Sequence, residues 1–98
     1  LLKMPVLTVA SFNILAQNKI RRKQFHYAAQ DTLRWKHRRD LLGRVIRELE
    51  ADVLCLQEVD QWTHYFESFL SRECDYDGRY ELRHRDGQWM GWRRDLFE

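Results

Sequence analysis

The chain is poor in the residues that build the commonest small-protein chemistries. Its two cysteines, Cys55 and Cys74, make neither a disulfide framework nor a thiolate metal site. Its four histidines, His26, His37, His64 and His84, show no ligand spacing such as His-x-x-x-His, so zinc chemistry has no support. A Ser–His–Asp arrangement and a glycine-rich phosphate loop are missing as well. No apolar run is long enough to span a bilayer, and no signal-peptide pattern is present in these residues. There is thus no sign of a membrane partner or of an organic cofactor. Repeats, low-complexity tracts and linkers are also lacking, so residues 1–98 read as belonging to one domain. Disorder is excluded in turn, because 44% hydrophobic and 33% charged residues are the mix of a globular chain.

What is present is concentrated in two segments. Val53-Leu54-Cys55-Leu56 is a short apolar run that stops at Gln57-Glu58, followed by Val59-Asp60. Such a run suits a strand covered on both faces, and ligand sites of open α/β sheets lie just outside the carboxyl ends of such strands. Glu58 is then either a carboxylate that caps or pairs at a strand end or an oxygen ligand for a hard cation such as Mg²⁺. Cys55, inside the run, behaves as a small hydrophobe, and a free thiol there fits a reducing, intracellular compartment, cytoplasm or nucleus. The second segment, Val6-Leu7-Thr8-Val9-Ala10-Ser11-Phe12-Asn13-Ile14-Leu15, carries Asn13 near its end, an amide able to orient a phosphate oxygen or a neighbouring ligand. A helix between the two strands makes a strand–helix–strand unit, whose crossover favours parallel strands and brings Asn13 and Glu58 out on one edge.

The remaining elements follow from period and punctuation. We expect strands at 6–14, 52–57 and 79–83, a polar loop at 16–31, and helices at 33–49 and 62–73. Asp31 or Thr32 is placed to cap the first helix. Leu42, Val45, Ile46 and Leu49 form its apolar face, and Asp40–Arg44 an i,i+4 pair. Trp35 is expected to pack under the helix start, and Tyr65, Phe66, Phe69 and Leu70 to form the stripe of the second helix. Asp77-Gly78 reads as a turn. At 88–91, Gly91 weakens a strand interior and Trp89 is bulky for a packed layer, which leaves a fourth strand there open.

Charge is informative by halves. The net charge is only +2, but residues 1–50 hold eleven basic and four acidic residues, and residues 51–98 six basic and eleven acidic. The densest basic stretch, Lys19-Ile20-Arg21-Arg22-Lys23, makes Lys19, Arg21, Arg22 and Lys23 candidates for phosphate contact, and such charges are also commonly solvated surface.

Three blocks occur in a recognisable order: Ser11-Phe12-Asn13-Ile14-Leu15-Ala16-Gln17, Leu33-Arg34-Trp35-Lys36-His37-Arg38-Arg39, and Ala51-Asp52-Val53-Leu54-Cys55-Leu56-Gln57-Glu58-Val59-Asp60. Together they resemble the endonuclease/exonuclease/phosphatase superfamily, in the branch of the poly(A) deadenylases, nocturnin, the Angel proteins and the yeast Ngl RNA exonucleases. Tyr65-Phe66-Glu67-Ser68-Phe69 and Tyr76-Asp77-Gly78-Arg79-Tyr80 extend the resemblance. It implies an α+β fold, the N-terminal portion of a DNase I-like four-layer α/β sandwich with two mixed sheets flanked by helices. It further implies hydrolysis of RNA from the 3′ end with Mg²⁺ (or Mn²⁺) as cofactor, Glu58 as metal ligand and catalytic residue, and Asn13 as catalytic and substrate-binding. The family's later Asp-x-Asn and Ser-Asp-His elements do not occur here, so the chain is expected to be the first part of a catalytic domain and inactive alone. A phosphatase or phosphodiesterase acting on a small nucleotide-like substrate, and a non-catalytic RNA-binding remnant, are the other readings.

Overall fold

The structure is a computed structural model that describes residues 6–20 and 33–96. Strand β1 (Val9–Asn13) leads through a short 3-10 turn, Gln17–Lys19, to helix α1 (Trp35–Leu49). Strand β2 (Val53–Val59), a second helix α2 at 62–73, and the hairpin β3 (Tyr76–Leu82) and β4 (Gly87–Arg93) follow. The four strands form one mixed sheet in the order β1-β2-β4-β3. β1 and β2 are parallel, with Asn13 opposite Gln57, and the crossover through α1 is what their polarity demands. Expected capping by Asp31 or Thr32, and the positions of Arg21, Arg22 and Lys23, lie outside the described residues.

One apolar cluster holds the layers together. Leu54 and Leu56 of β2 and Trp89 of β4 meet Leu42 and Ile46 of α1 and Phe66, Phe69 and Leu70 of α2. Phe66, Leu54 and Leu56 are fully buried, each contributing about 1.5–3 kcal/mol by removal from water. Trp35 packs edge-on against Tyr65 and tilted against Phe66, as expected of a core residue. The opposite strand positions, Val9 and Met90, are exposed, so the helices cover one face of the sheet.

Three expectations are corrected, and the one left open is decided. A fourth strand does form, because Gly91 is where the Trp89 indole lies. A Cβ built on Gly91 would sit 2.1 Å from Trp89 Cζ2, and one on its cross-strand partner Gly78 would sit 2.6 Å from Trp89 Cε2. Two opposed glycines thus make the bare patch that a tryptophan covers. For the same reason Asp77-Gly78 is no turn; it lies inside β3, and the chain reverses at 83–86, where Arg83 N–H bonds Asp86 O. Val45 and Leu49 are over a third exposed, since only the Leu42–Ile46 ridge meets the sheet. Asp40 pairs with Arg39, leaving the expected i,i+4 partner Arg44 aside. Helix α2 keeps its predicted apolar stripe but is wound wider than an α-helix, with i→i+5 bonds such as Phe66 N–H to Gln61 O (3.0 Å) and Cys74 N–H to Phe69 O (3.0 Å).

Candidate functional site

The site is made by a fault in β2. Leu56 pairs with Trp89 and Val59 with Gly87, so Gln57 and Glu58 together stand opposite the single residue Gln88. This is a β-bulge. In an unbroken strand Glu58 would share the inward face of Leu54 and Leu56, and Val59 would point out. The extra residue resets the alternation: Val59 is fully buried and Glu58 turns away from the core. The turn needs a left-handed backbone at Glu58, φ 57°, a conformation that costs a glutamate about 1–2 kcal/mol. Strain of this kind collects at functional positions because the surrounding structure enforces it.

β1 ends beside it in a similar way. Leu15 is also left-handed, φ 58°, and its N–H donates to Asn13 Oδ1 at 2.9 Å. Because a backbone N–H can only donate, that bond fixes which way the Asn13 amide faces. Nδ2 is therefore the atom turned to Glu58, donating to Oε2 at 2.6 Å. The two residues picked from the sequence, 45 positions apart, are hydrogen-bonded. Arg38 of α1 pins the backbone that follows: its guanidinium donates to the carbonyls of Ile14 and Leu15 (2.6 Å for the latter) and to Gln17 Oε1 at 2.7 Å. Burial lowers the Arg38 pKa below its ordinary value, opposed by the charge of Asp60.

Of the predicted phosphate-contacting residues, Lys19 is described, and it stands against the acidic end of β2. Its ammonium lies 3.4 Å from Glu58 Oε1 and 3.3 Å from Asp86 Oδ2. The Asn13 bond, then Lys19 and the Ala16 backbone N–H, outweigh desolvation and hold the Glu58 carboxyl below the ordinary carboxylate value. Lys19 in turn is held above its ordinary value, chiefly by Asp86, with Glu58 adding to it. Glu58 is therefore an anion, and Lys19 a cation, at neutral pH.

Sequence reading assigned no role to the hairpin turn, yet the structure brings it to the same edge. Asn18 Nδ2 donates to Arg85 O at 3.0 Å, and Asn18 N–H to Asp60 Oδ2 at 2.8 Å. A cleft of about 530 Å³ is lined by Asn18, Lys19, Arg83, His84, Arg85 and Asp86. The one sequence signal for it was Arg83-His84-Arg85 itself, a basic triplet.

Two oxygens mark where a further group fits. Among the described residues, Glu58 Oε1 and Asp60 Oδ1 are the buried side-chain atoms without a hydrogen-bond partner. No three His, Cys, Asp or Glu side chains converge among the described residues to hold a metal alone. Mg²⁺ does not need them, because it is commonly bound by one or two carboxylates while water and phosphate fill the other positions. An ionised carboxylate with one buried oxygen that accepts no hydrogen bond fits that requirement.

Comparison with known proteins places the sequence and the fold in a family. The sequence pattern of the Endonuclease/Exonuclease/phosphatase family matches residues 10–98. The chain is 38% identical over 92 residues to the RNA exonuclease NGL2 of Saccharomyces cerevisiae, covering 89% of this chain and 17% of that protein. It is 36% identical over 81 residues to the CCR4-Not complex 3′-5′-exoribonuclease subunit Ccr4 of Aspergillus fumigatus, covering 81% of this chain and 12% of that one. Among solved structures it superposes on ANGEL2, a 2′,3′-cyclic phosphatase in complex with adenosine-2′,3′-vanadate. That match has a TM-score of 0.78 and 27% identity, over 90% of this chain and 27% of the other. The chain thus spans under a fifth of these curated relatives and about a quarter of the solved structure, and the four-stranded mixed sheet with its helices is part of that fold.

Proposed function

This chain belongs to the Endonuclease/Exonuclease/phosphatase family, and on that premise we propose that it supplies the Asn13–Glu58 corner of an enzyme that hydrolyses phosphodiester bonds of RNA from the 3′ end. The observation that carries the reading is the 2.6 Å Asn13–Glu58 hydrogen bond at a strained bulge, with one carboxylate oxygen left vacant beside a basic cleft. The relatives named above as exoribonucleases point to RNA as the substrate.

Glu58 would hold Mg²⁺ (or Mn²⁺), which when bound supplies Lewis-acid polarisation of the scissile phosphate and lowers the pKa of bound water. Asn13 holds Glu58 ionised and in place, and its amide keeps a second N–H suited to a phosphate oxygen. Arg38 fixes the loop that carries this edge, so neither group must reorganise when substrate arrives. The Arg83–Arg85 cleft, with Arg21, Arg22 and Lys23 as further candidates, offers cations to the phosphates on either side of the scissile bond. Water forms the new bond to phosphorus as the bond to the leaving ribose oxygen breaks. The base that takes the water's proton and the acid that gives one to the leaving oxygen come from the part of the domain this chain does not span. The setting is intracellular, in cytoplasm or nucleus.

The likeness to ANGEL2 favours a second reading, hydrolysis of a terminal 2′,3′-cyclic phosphate. One experiment addresses both. The protein carrying the complete domain is given Mg²⁺ and two RNA oligonucleotides, one ending in a free 3′-hydroxyl and one in a 2′,3′-cyclic phosphate. Stepwise shortening of the first, lost in Glu58→Gln, is the expected result. Ring opening of the second without shortening of the first selects the phosphatase reading. Undiminished hydrolysis by Glu58→Gln overturns the assignment of Glu58 in either case.

A further inference from the structure

The vacant oxygen of Glu58 already faces a cation of the protein's own. Lys19 Nζ lies 3.4 Å from Glu58 Oε1 and 3.3 Å from Asp86 Oδ2, while half of the Lys19 side chain remains exposed. Both separations exceed the 2.7–2.9 Å or so of a strong charge-assisted hydrogen bond, so Lys19 is seated by charge and can leave without breaking a tight bond. The seat itself is firm. Lys19 N–H bonds Ala16 O at 2.9 Å, and its neighbour Asn18 ties the same loop to Asp60 and to the Arg85 carbonyl. The backbone is thus fixed, while the ammonium sits at the end of four rotatable methylenes, half exposed.

We propose that Lys19 is a built-in counter-cation that competes with a divalent cation for the Glu58 carboxylate and is displaced into the adjacent cleft when that cation binds. This rests on the reading of Glu58 as a cation ligand. An ammonium and a divalent ion cannot share one carboxylate oxygen without strong mutual repulsion, so each must exclude the other. Without the ion, Lys19 bridges two carboxylates and offsets part of their mutual repulsion. With it, the displaced ammonium is left in the cleft of Arg83, His84 and Arg85, where a phosphate would meet it. Lys19 would then touch substrate only after the ion is in place, which gives the site an order of assembly.

The test is calorimetric titration of Mg²⁺ alone into the protein carrying the complete domain, as wild type, Lys19→Met, Lys19→Arg and Glu58→Gln, at low and at high KCl. The proposal expects Lys19→Met to bind Mg²⁺ about two- to fivefold more tightly at low salt, the range of a partly screened charge pair, with Lys19→Arg close to wild type and the gap narrowing as salt rises. A second readout, the NMR signal of the Lys19 ε-methylene, should move as Mg²⁺ saturates the wild type. Glu58-dependent binding that is unchanged or weaker in Lys19→Met overturns the competition and leaves the metal assignment standing. Binding that Glu58→Gln does not weaken, or no binding at all, overturns both.

Discussion

The two ends of β2 are built on opposite rules. At the end where it begins, every polar group named is engaged. Asp52 Oδ2 accepts the Thr8 N–H at 2.8 Å, Oδ1 faces Arg93 at 4.0 Å, and the Ala51 carbonyl accepts from both the Tyr76 hydroxyl and Arg93 Nε. At the end where it stops, the backbone is left-handed, and one buried oxygen each of Glu58 and Asp60 accepts no hydrogen bond. Seven residues of one strand separate a closed end from an open one. The difference teaches that this protein places its unsatisfied groups where the ladder is already broken, and keeps the regular half of the strand to support the strain.

Substitutions at the two ends should therefore differ in kind. The largest loss of stability is expected beside the closed end. Gly91→Ala drives a Cβ into the Trp89 indole and toward Asp77 O, and overpacking of this sort costs about 1–3 kcal/mol. Equilibrium urea denaturation reads it; a wild-type midpoint would mean that the indole moves aside freely. Next comes Tyr76→Phe, which strips a buried carbonyl of a donor and should cost about 0.5–1.5 kcal/mol. RNA hydrolysis by the complete domain should be unaffected, and a loss of activity at intact stability would break the division between the ends. Smaller still is Glu58→Gly. Relief of the left-handed strain, about 1–2 kcal/mol, roughly offsets the lost contacts to Asn13 and Lys19, so the midpoint should barely move while Mg²⁺-dependent activity disappears. A large destabilisation there would show that Glu58 is a structural residue after all.

How much of this was legible in the sequence depends on which end is asked about. The parallel pair, the helix between them, the Tyr65–Leu70 stripe and the meeting of Asn13 with Glu58 all follow from period and crossover polarity. The likeness to NGL2, Ccr4 and ANGEL2 bears out the branch that the motifs resemble. The bulge was written in the sequence less directly: Leu54, Leu56 and Val59 cannot all be inward in a strand of period two unless one residue is added between the last pair. The Trp89–Gly91–Gly78 stack was not legible, because a glycine in a strand weakens it in isolation and only the cross-strand register reveals what fills the gap. The part played by Asn18 and the 83–86 turn was hidden for the same reason, being a contact over 67 residues with no signature beyond the Arg83-His84-Arg85 triplet. Lys19 was read as a phosphate contact from charge density alone, which says nothing of the carboxylates it faces.

The smallest expected effect concerns protons, and its sign separates the partners at the open end. The folded Glu58 pKa lies below the ordinary 4.5, so its ionised contacts stabilise the fold above that value and are lost as pH falls through the lower, folded value. Lys19 works in the other direction. Its folded pKa is raised above 10.5, so its contribution is complete below that value and is lost as pH rises through the folded one. Between the two windows neither Glu58 nor Lys19 should make stability depend on pH. Asn13 is the largest cause of the Glu58 shift and Lys19 a lesser one. In a carbon-13 titration of the Glu58 carboxyl, Asn13→Ala should therefore raise the midpoint toward 4.5 by more than Lys19→Met does. The reverse ranking would make the ammonium, and not the amide, the group that holds this carboxylate ready for a cation.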